Sequence, residues 1–192
     1  MGRLNGVRLY MSGAIDRVPD EEMGETHWRN VLTPWLEERG VSVLDPCHKP
    51  IDIGLEDEPR RKLRREAKAR GDWAAVEADR IIRKVDLRMV DISDAVIAYL
   101  DMDHKPCGTF EEIFLAISQR KIVMIVTKGG KAATPDWIFW ACGSNLIFEN
   151  FYELKEYLHQ VDQNIVVDDR WMIFNKNKDK DSNQNMEPTQ CA

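Results

Sequence analysis

The chain has 192 residues, of which 43% are hydrophobic, and this size and composition are typical of one domain with a substantial core. Its formal net charge of -6 and its pI near 5.3 argue against binding to a nucleic-acid polymer, because a phosphate backbone requires a basic surface. No stretch approaches the roughly 20 apolar residues of a membrane-spanning helix, and the amino terminus lacks the apolar region of a signal peptide. We therefore expect a cytoplasmic protein whose partners are small molecules. The four cysteines show no metal-ligand spacing, so we expect no metal site.

The first part of the chain predicts a β-α-β unit. Residues 7–12 are rich in β-forming residues and alternate as a strand does, and Gly13 opens a loop that contains Asp16. Apolar residues recur at helical spacing over residues 21–39, and residues 41–45 form a second strand. A strand-helix-strand succession favours a parallel sheet with a right-handed crossover.

A charged insertion follows at residues 46–72. Its prolines indicate a loop, and the strongly basic residues 60–70 predict a helix. Two interpretations of this helix are open. In the first, the helix contacts an anion or a phosphate group. In the second, it is a solvent-exposed face whose positive charge balances the negative charge of Glu56, Asp57 and Glu58.

The centre of the chain is a β-loop-α-β unit. Residues 74–92 predict a long helix, and residues 95–100 and 122–126 are short apolar runs of the kind found in strands that are covered on both faces. Between these strands lie the loop of residues 101–107 and a helix that starts near Gly108. Sites in open parallel sheets lie at the carboxyl ends of strands, so we expect this loop to adjoin a ligand.

The remaining segments complete an α/β fold. Three further elements are a helix at 135–142, a strand at 145–148 and a helix at 151–159. Residues 165–174 predict a strand or a dimer arm, and the polar residues 176–192 predict a disordered tail. Five strands alternating with helices predict a single-domain three-layer sandwich over residues 1–175, with a five-stranded parallel sheet of flavodoxin-like or Rossmann-like type.

Several familiar catalytic motifs are missing from this framework. The sequence has no G-x-G-x-x-G after the first strand, no G-x-S-x-G and no Walker A motif, so we expect no dinucleotide or other cofactor. What remains is a set of carboxylates close to strand ends: Asp16, Asp86, Asp94, Asp101, Asp103, Glu111 and Glu112. Two carboxylates near one sugar can cleave a glycosidic bond, one as the nucleophile and the other handling the proton on the leaving group.

Two of these carboxylates also have structural interpretations. Thr109 and Glu112 have the spacing of a capping box, in which Thr109 caps a helix and Glu112 reaches back to its amide. Asp94 follows Ser93 directly before a strand, where a turn or cap role is favoured. Spacing alone leaves both interpretations of Glu112 open.

The sequence resembles the nucleoside 2-deoxyribosyltransferase family and the related 2'-deoxynucleoside 5'-phosphate N-hydrolases over about residues 8–157. The resemblance depends on the order and spacing of four segments: Tyr10-Met-Ser-Gly-Ala-Ile15, Asp79-Arg-Ile-Ile-Arg-Lys-Val-Asp-Leu87, Ser93-Asp94 and Gly108-Thr-Phe-Glu-Glu-Ile113.

The resemblance implies a role for each catalytic position. Glu112 falls on the glutamate that attacks the anomeric carbon, Asp86 on the aspartate that holds the sugar and assists proton transfer, and Tyr10 on the tyrosine that steadies the nucleophile. The reaction implied is a double displacement with retention, in which the sugar passes to a second nucleobase, or to water. The expected substrate-binding residues are Gly13, Asp16, Asp101, Asp103, Gly108 and Asp136.

One position departs from the family pattern. Two residues before Gly108 the transferases place an aspartate that handles the nucleobase and the hydrolases tend to place serine, whereas this chain has Pro106. Asp101, Asp103 and His104 of the same loop are the candidates to replace that function.

The resemblance also implies a homo-oligomer, since the transferases complete each pocket with residues of a neighbouring subunit. The corresponding segment here is 136–140, where Asp136 falls on the position that binds the sugar 5'-hydroxyl or is a favourable charge at a helix start. Trp137 and Phe139 stack on a base or form core or dimer contacts.

Two other functions stay open alongside transfer of deoxyribose between a nucleoside and a free nucleobase. One is hydrolysis of a nucleoside 5'-monophosphate, which the basic residues 60–70 favour. The other is a non-catalytic protein that binds a nucleotide in the same pocket.

Overall fold

The computed structural model describes residues 2–49 and 53–175 and contains a five-stranded parallel sheet. Its strands are β1 (Arg8–Gly13), β2 (Ser42–Leu44), β3 (Ala95–Leu100), β4 (Ile122–Thr127) and β5 (Ile147–Phe148). Their spatial order is β2-β1-β3-β4-β5, and every neighbouring pair is parallel. This is the flavodoxin-like order, so the predicted fold is confirmed. The predicted tail at 176–192 lies outside the described residues.

Helices cover both faces of the sheet, as the prediction of three layers requires. They are α1 (Trp28–Glu37), α2 (Glu58–Arg70), α3 (Trp73–Ala78), α4 (Arg80–Ile92), α5 (Cys107–Ser118), α6 (Asp136–Cys142), α7 (Phe151–Asp162) and α8 (Met172–Asn175). One core packs the sheet against α1 and α7, and a second packs it against α4, α5 and α6. Within the described part of the chain, no helix is both long and apolar enough to cross a membrane.

Alternation along β1 divides its side chains between the two cores. Leu9 and Met11 lie in the core with α1 and α7, whereas Tyr10 lies in the core with α4, α5 and α6. Because successive strand residues point to opposite faces, Ser12 shares the face of Tyr10. Two hydroxyl groups on β1 are therefore directed towards α5.

Two predicted helices differ from those in the structure. The helix expected over 21–39 starts at Trp28, because Gly24 is extended and separates α1 from a 3₁₀ turn at Asp20–Met23. The helix expected over 74–92 is two helices, α3 and α4, which meet at Asp79. The Asp79 carboxylate accepts a hydrogen bond from Arg64 Nη1 at 3.4 Å, which ties this junction to α2.

Of the two alternatives predicted for residues 165–174, the strand is wrong, and the dimer arm stays a prediction. This segment forms no strand in the structure and ends in α8, packing on the core of its own chain. Trp171 is 1% exposed, stacks on Phe174 and donates a hydrogen bond from Nε1 to the Tyr157 hydroxyl at 3.1 Å. The core beside α7 is therefore closed by Trp171 together with Val166, Ile173 and Phe174.

Replacing Trp171 with alanine is expected to lower the free energy of unfolding by about 3 kcal/mol, because a large buried ring leaves a cavity that the fold fills only partly. Urea unfolding measures this change. Trp73 is 64% exposed and supplies the control. The unfolding free energy of its alanine variant should differ from that of wild type by less than about 1 kcal/mol. Equal effects at the two positions would contradict the packing described for residues 165–174.

The basic helix α2 docks on the loop that follows β1. Arg61 Nη2 lies 2.6 Å from the Asp20 carboxylate, and Lys68 Nζ and Arg64 Nε lie 3.4 and 3.5 Å from that of Asp16. Carboxylates of the β1 loop thus balance part of the positive charge of α2. This loop and the insertion together form one wall of the crevice where the strand order reverses, between β1 and β3.

Candidate active site

A cavity of about 300 Å³ opens at the carboxyl end of β1 and the start of α5. Five of the residues predicted from the sequence line it: Gly13, Asp16, Asp86, Gly108 and Glu112. These residues come from β1, the loop that follows it, α4 and α5, so the fold brings together residues that are spread over about half of the chain.

Glu112 lies on the buried face of α5, beneath this cavity, and is 9% exposed. Its Oε1 accepts a hydrogen bond from the Tyr10 hydroxyl at 2.8 Å, and its Oε2 accepts one from Ser12 Oγ. The capping-box interpretation is wrong, because the N-cap residue of α5 is Pro106 and Thr109 already lies within the helix. The carboxylate of Glu112 is thus held by β1, against the wall of the cavity.

Burial governs the ionisation of Glu112 and Tyr10. Burial is the main cause that raises the pKa of Glu112 to about 7; the nearby Asp86 charge acts in the same direction, and the hydrogen bonds from Ser12 and Tyr10 oppose it. Burial and the charge of Glu112 raise the pKa of Tyr10 well above its ordinary value, so its hydroxyl remains a donor. At neutral pH the site holds a carboxyl poised between its two protonation states.

This pKa shift predicts a pH-dependent stability. The folded state favours the protonated Glu112, so its contribution is fully present below the ordinary pKa of 4.5 and is lost as pH rises through about 7. Glutamine mimics the neutral acid. The unfolding free energy of the Glu112→Gln variant should therefore rise relative to that of wild type by about 3 kcal/mol as the pH increases from about 4 to about 8. Urea unfolding across this range measures the difference. The Glu111→Gln control removes an ion pair with Arg83 at a side chain that is 42% exposed, and its stability should differ from wild type by less than about 1 kcal/mol over this range.

Helix α4 supplies the second predicted carboxylate, Asp86, which is 8% exposed. Lys49 Nζ lies 2.7 Å from Asp86 Oδ1, and the Lys49 side chain is completely buried. Burial raises the pKa of Asp86, and the Lys49 ammonium opposes that shift. Lys49 therefore favours the anionic form of Asp86.

Comparison with known proteins gives this site a context. A sequence model described as Nucleoside 2-deoxyribosyltransferase matches residues 21–176, which is most of the chain. The chain belongs to the nucleoside 2-deoxyribosyltransferase family. No curated protein sequence matches it. Among solved structures, a 2-deoxyribosyltransferase from the psychrotolerant bacterium Bacillus psychrosaccharolyticus is similar, with 14% identity, coverage of 78% of this chain and 90% of that chain, and a TM-score of 0.49.

Gly13 and Gly108, the two glycines expected to bind substrate, differ in the space around them. A Cβ at Gly13 would lie 3.0 Å from the Trp28 ring and 3.1 Å from Arg29 Nη2, so the close packing of β1 favours glycine there. A Cβ at Gly108 would meet no described atom within 4 Å. Because Gly108 lines the cavity, a side chain at this position would occupy space available to a ligand.

The remaining predicted residues are placed differently. Asp101 and Asp103 are not among the residues that line the cavity of Glu112, and each carboxylate accepts a hydrogen bond from Lys128 Nζ at 3.0 Å. Asp136 is exposed in the first turn of α6, also away from that lining. Asp94 has a structural position, since it accepts hydrogen bonds from the Arg8 backbone and guanidinium.

The sequence analysis missed four residues of this family member's site: Ser12, Arg29, Lys49 and Glu56. Ser12 carried a usable signal, since it lies two residues after Tyr10 on the same strand. Arg29 is 1% exposed, donates to the Gly13 carbonyl at 2.9 Å and lies 3.5 Å from the Asp45 carboxylate, which braces the end of β1. Lys49 and Glu56 lie in or beside the insertion, and only the folded chain brings them to Asp86.

Proposed function

We propose that the protein cleaves the N-glycosidic bond of a 2'-deoxynucleoside and transfers the deoxyribosyl group to another nucleobase. The observation that carries this proposal is the buried Glu112 carboxylate, held by Tyr10 and Ser12 at a cavity that Asp86 also lines. Two carboxyls beside one cavity suit a retaining displacement at an anomeric carbon.

In this mechanism Glu112 is the nucleophile. One of its oxygens attacks C1' as the bond to the base breaks, and a deoxyribosyl ester forms on Glu112. Tyr10 and Ser12 fix the carboxylate in one orientation, so little reorganisation is needed before attack. A pKa of about 7 leaves an ionised fraction at neutral pH and makes the carboxylate more basic than an exposed glutamate.

Asp86 is proposed to hold the sugar. Its side chain lies beside the cavity, and Lys49 favours its anionic form, which can accept a hydrogen bond from a sugar hydroxyl and stabilise the positive charge that develops on the ring. Asp16, Gly13 and Gly108 form the cavity walls around the substrate.

A second function is favoured by two cations. Arg17 and Lys105 line the same cavity, both are exposed, and neither forms an ion pair with a residue in the described ranges 2–49 and 53–175. A nucleoside 5'-monophosphate would supply the anion that they lack. Hydrolysis of such a nucleotide by the same Glu112 chemistry is therefore our alternative proposal.

The pocket is proposed to be completed by a second copy of the chain. Trp137 and Trp140 are 64% and 74% exposed and pack edge to face beside Asp136, so α6 presents an aromatic surface that a partner would cover. Analytical ultracentrifugation of the wild-type protein and of a Trp140→Ser variant tests this proposal. A monomeric wild type would overturn it.

Product analysis tests the function. The purified protein is incubated with each 2'-deoxynucleoside and each 5'-monophosphate, with and without a different free base, and products are separated by chromatography. A new nucleoside that appears only with the added base supports transfer. Release of the base regardless of acceptor supports hydrolysis, whereas binding without turnover of any substrate would overturn both in favour of a non-catalytic nucleotide-binding protein.

A further inference from the structure

The insertion before α2 brings a third carboxyl to the cavity. Glu56 lines the same cavity as Asp86 and Glu112, although it lies 30 residues before the first of them in the chain. It is 7% exposed, and its backbone carbonyl accepts a hydrogen bond from Arg61 Nη1 at 2.7 Å, which fixes the segment that carries it. The insertion is therefore part of the site.

The surroundings of Glu56 differ from those of the other two carboxyls. Its oxygens lie 3.7 Å from Lys49 Nζ and 3.6 Å from Arg64 Nη2, which is beyond hydrogen-bond length. Among the described residues, no hydrogen bond reaches its carboxylate, whereas Glu112 accepts two. Glu56 is thus close enough to two cations for its anion to be tolerated, yet it has oxygen atoms free to bond a ligand.

A site of this kind needs a group that exchanges a proton with the nucleobase. Pro106 has no acidic side chain, and the carboxylates of Asp101 and Asp103 are bound to Lys128 outside the cavity lining. His104 does line the cavity, but its Nε2 lies 3.4 Å from the carboxylates of both Glu22 and Asp101. Asp16 also lines the cavity, but its carboxylate accepts a hydrogen bond from Lys68 Nζ at 3.4 Å, and Asp86 lies 2.7 Å from Lys49 Nζ. Glu56 is the cavity carboxyl that neither attacks the sugar nor accepts a hydrogen bond from a described residue.

We propose that Glu56 is the general acid and base of this site, an inference that rests on the proposed function. As the C1'–N bond breaks, its electron pair goes to the base nitrogen, Glu112 bonds to C1', and the protonated Glu56 gives its proton to a nitrogen of the departing base. In the second half, the acceptor base or water attacks C1' and returns a proton to the Glu56 carboxylate, while the bond to Glu112 breaks. Both carboxyls thus end in their initial states.

The charges around Glu56 suit both steps. Burial, and after it the charge of Asp86 of α4, raises the pKa of Glu56 to about 7. Three cations from different parts of the fold lower it: Lys49 after β2, Arg64 of α2 and Arg29 of α1. Cys47 also faces this group, and burial raises the pKa of its thiol to about 12, so it stays neutral. A carboxyl that titrates near neutrality gives and takes a proton with similar ease.

The test is a comparison of two substrates in the Glu56→Gln variant. One is 2'-deoxyguanosine, whose base must be protonated to leave, and the other is 7-methyl-2'-deoxyguanosine, whose base leaves as a neutral molecule without added protons. For a protein that accepts only pyrimidines, 2'-deoxyuridine and its 5-nitro derivative form the equivalent pair. We expect kcat for the unmodified substrate to fall by about 10²- to 10⁴-fold and that for the activated substrate by less than about 10-fold. The decrease of wild-type kcat as pH rises through about 7 should be absent in the variant.

Further variants distinguish the possible failures. Glu58→Gln, at the exposed start of α2, should match wild type with both substrates. If kcat of Glu56→Gln falls equally on the two substrates, or on neither, the role of Glu56 is overturned. If instead His104→Asn loses kcat selectively on the unmodified substrate, the histidine has that role. Absence of wild-type turnover on all substrates would overturn the proposed function itself. Activity on the activated substrate shows that the variant is folded.

Discussion

Replacing Glu112 with glutamine is expected to lower kcat by at least about 10⁴-fold, because the amide cannot form the ester through which the proposed double displacement proceeds. Glutamine keeps the size of the side chain and an oxygen that accepts from Tyr10, which donates to Oε1 at 2.8 Å in the wild type. Substrate binding should therefore persist. Single-turnover kinetics measure the chemical step, and calorimetric titration with the same nucleoside measures the affinity.

Glu111 offers the matched control on the same helix. Its side chain is 42% exposed and pairs with Arg83, so Glu111→Gln should retain nearly full turnover. Wild-type protein quenched during turnover should carry one added deoxyribosyl group on the peptide that contains Glu112, and the Glu112→Gln variant should carry none. Substantial turnover by Glu112→Gln, or an adduct on another residue, would sink the nucleophile assignment.

The sheet was predictable from sequence because its strands are short apolar runs between turn residues. β3 and β4 were located from the burial that their composition implies, and all six residues of β4 are buried. The helix starts were harder to predict, since periodicity continues across Gly24 and Asp79 although the backbone does not. At residues 165–174 the pattern identified an apolar face, but only the folded chain shows that α7 covers it.

The site was predictable to the extent that local motifs encode it. Tyr10, Asp86 and Glu112 were located through a resemblance, and the structure brings Tyr10 and Glu112 into contact. Glu56 and Lys49 had no such signal, because they lie at the ends of a Pro-rich segment whose path no local pattern determines. The role of a buried charge can be predicted only when its ion-pair partner is known, and the partner of Lys49 lies 37 residues away on α4.

Loss of the Lys49 ammonium should consequently destabilise the fold strongly. Its ammonium nitrogen lies 2.7 Å from Asp86 and 3.7 Å from Glu56, with the side chain fully buried. Lys49→Met keeps much of the apolar stem but leaves two buried carboxyls without their shared cation. Breaking a buried ion pair in this way costs about 4 kcal/mol of unfolding free energy at about pH 8.

The pH dependence of that cost separates charge from packing. Burial raises the pKa values of Asp86 and Glu56, and removal of the Lys49 ammonium should raise both further. At about pH 5 the carboxyls can take up protons and avoid the penalty of unpaired charge, so the cost should fall to less than half of its value at about pH 8. Urea unfolding at the two pH values measures this difference, with Lys62→Met on the exposed face of α2 as the control, expected within about 0.5 kcal/mol of wild type. An equal cost at both pH values would mean that Lys49 stabilises the site through the packing of its stem and that Asp86 does not depend on its charge.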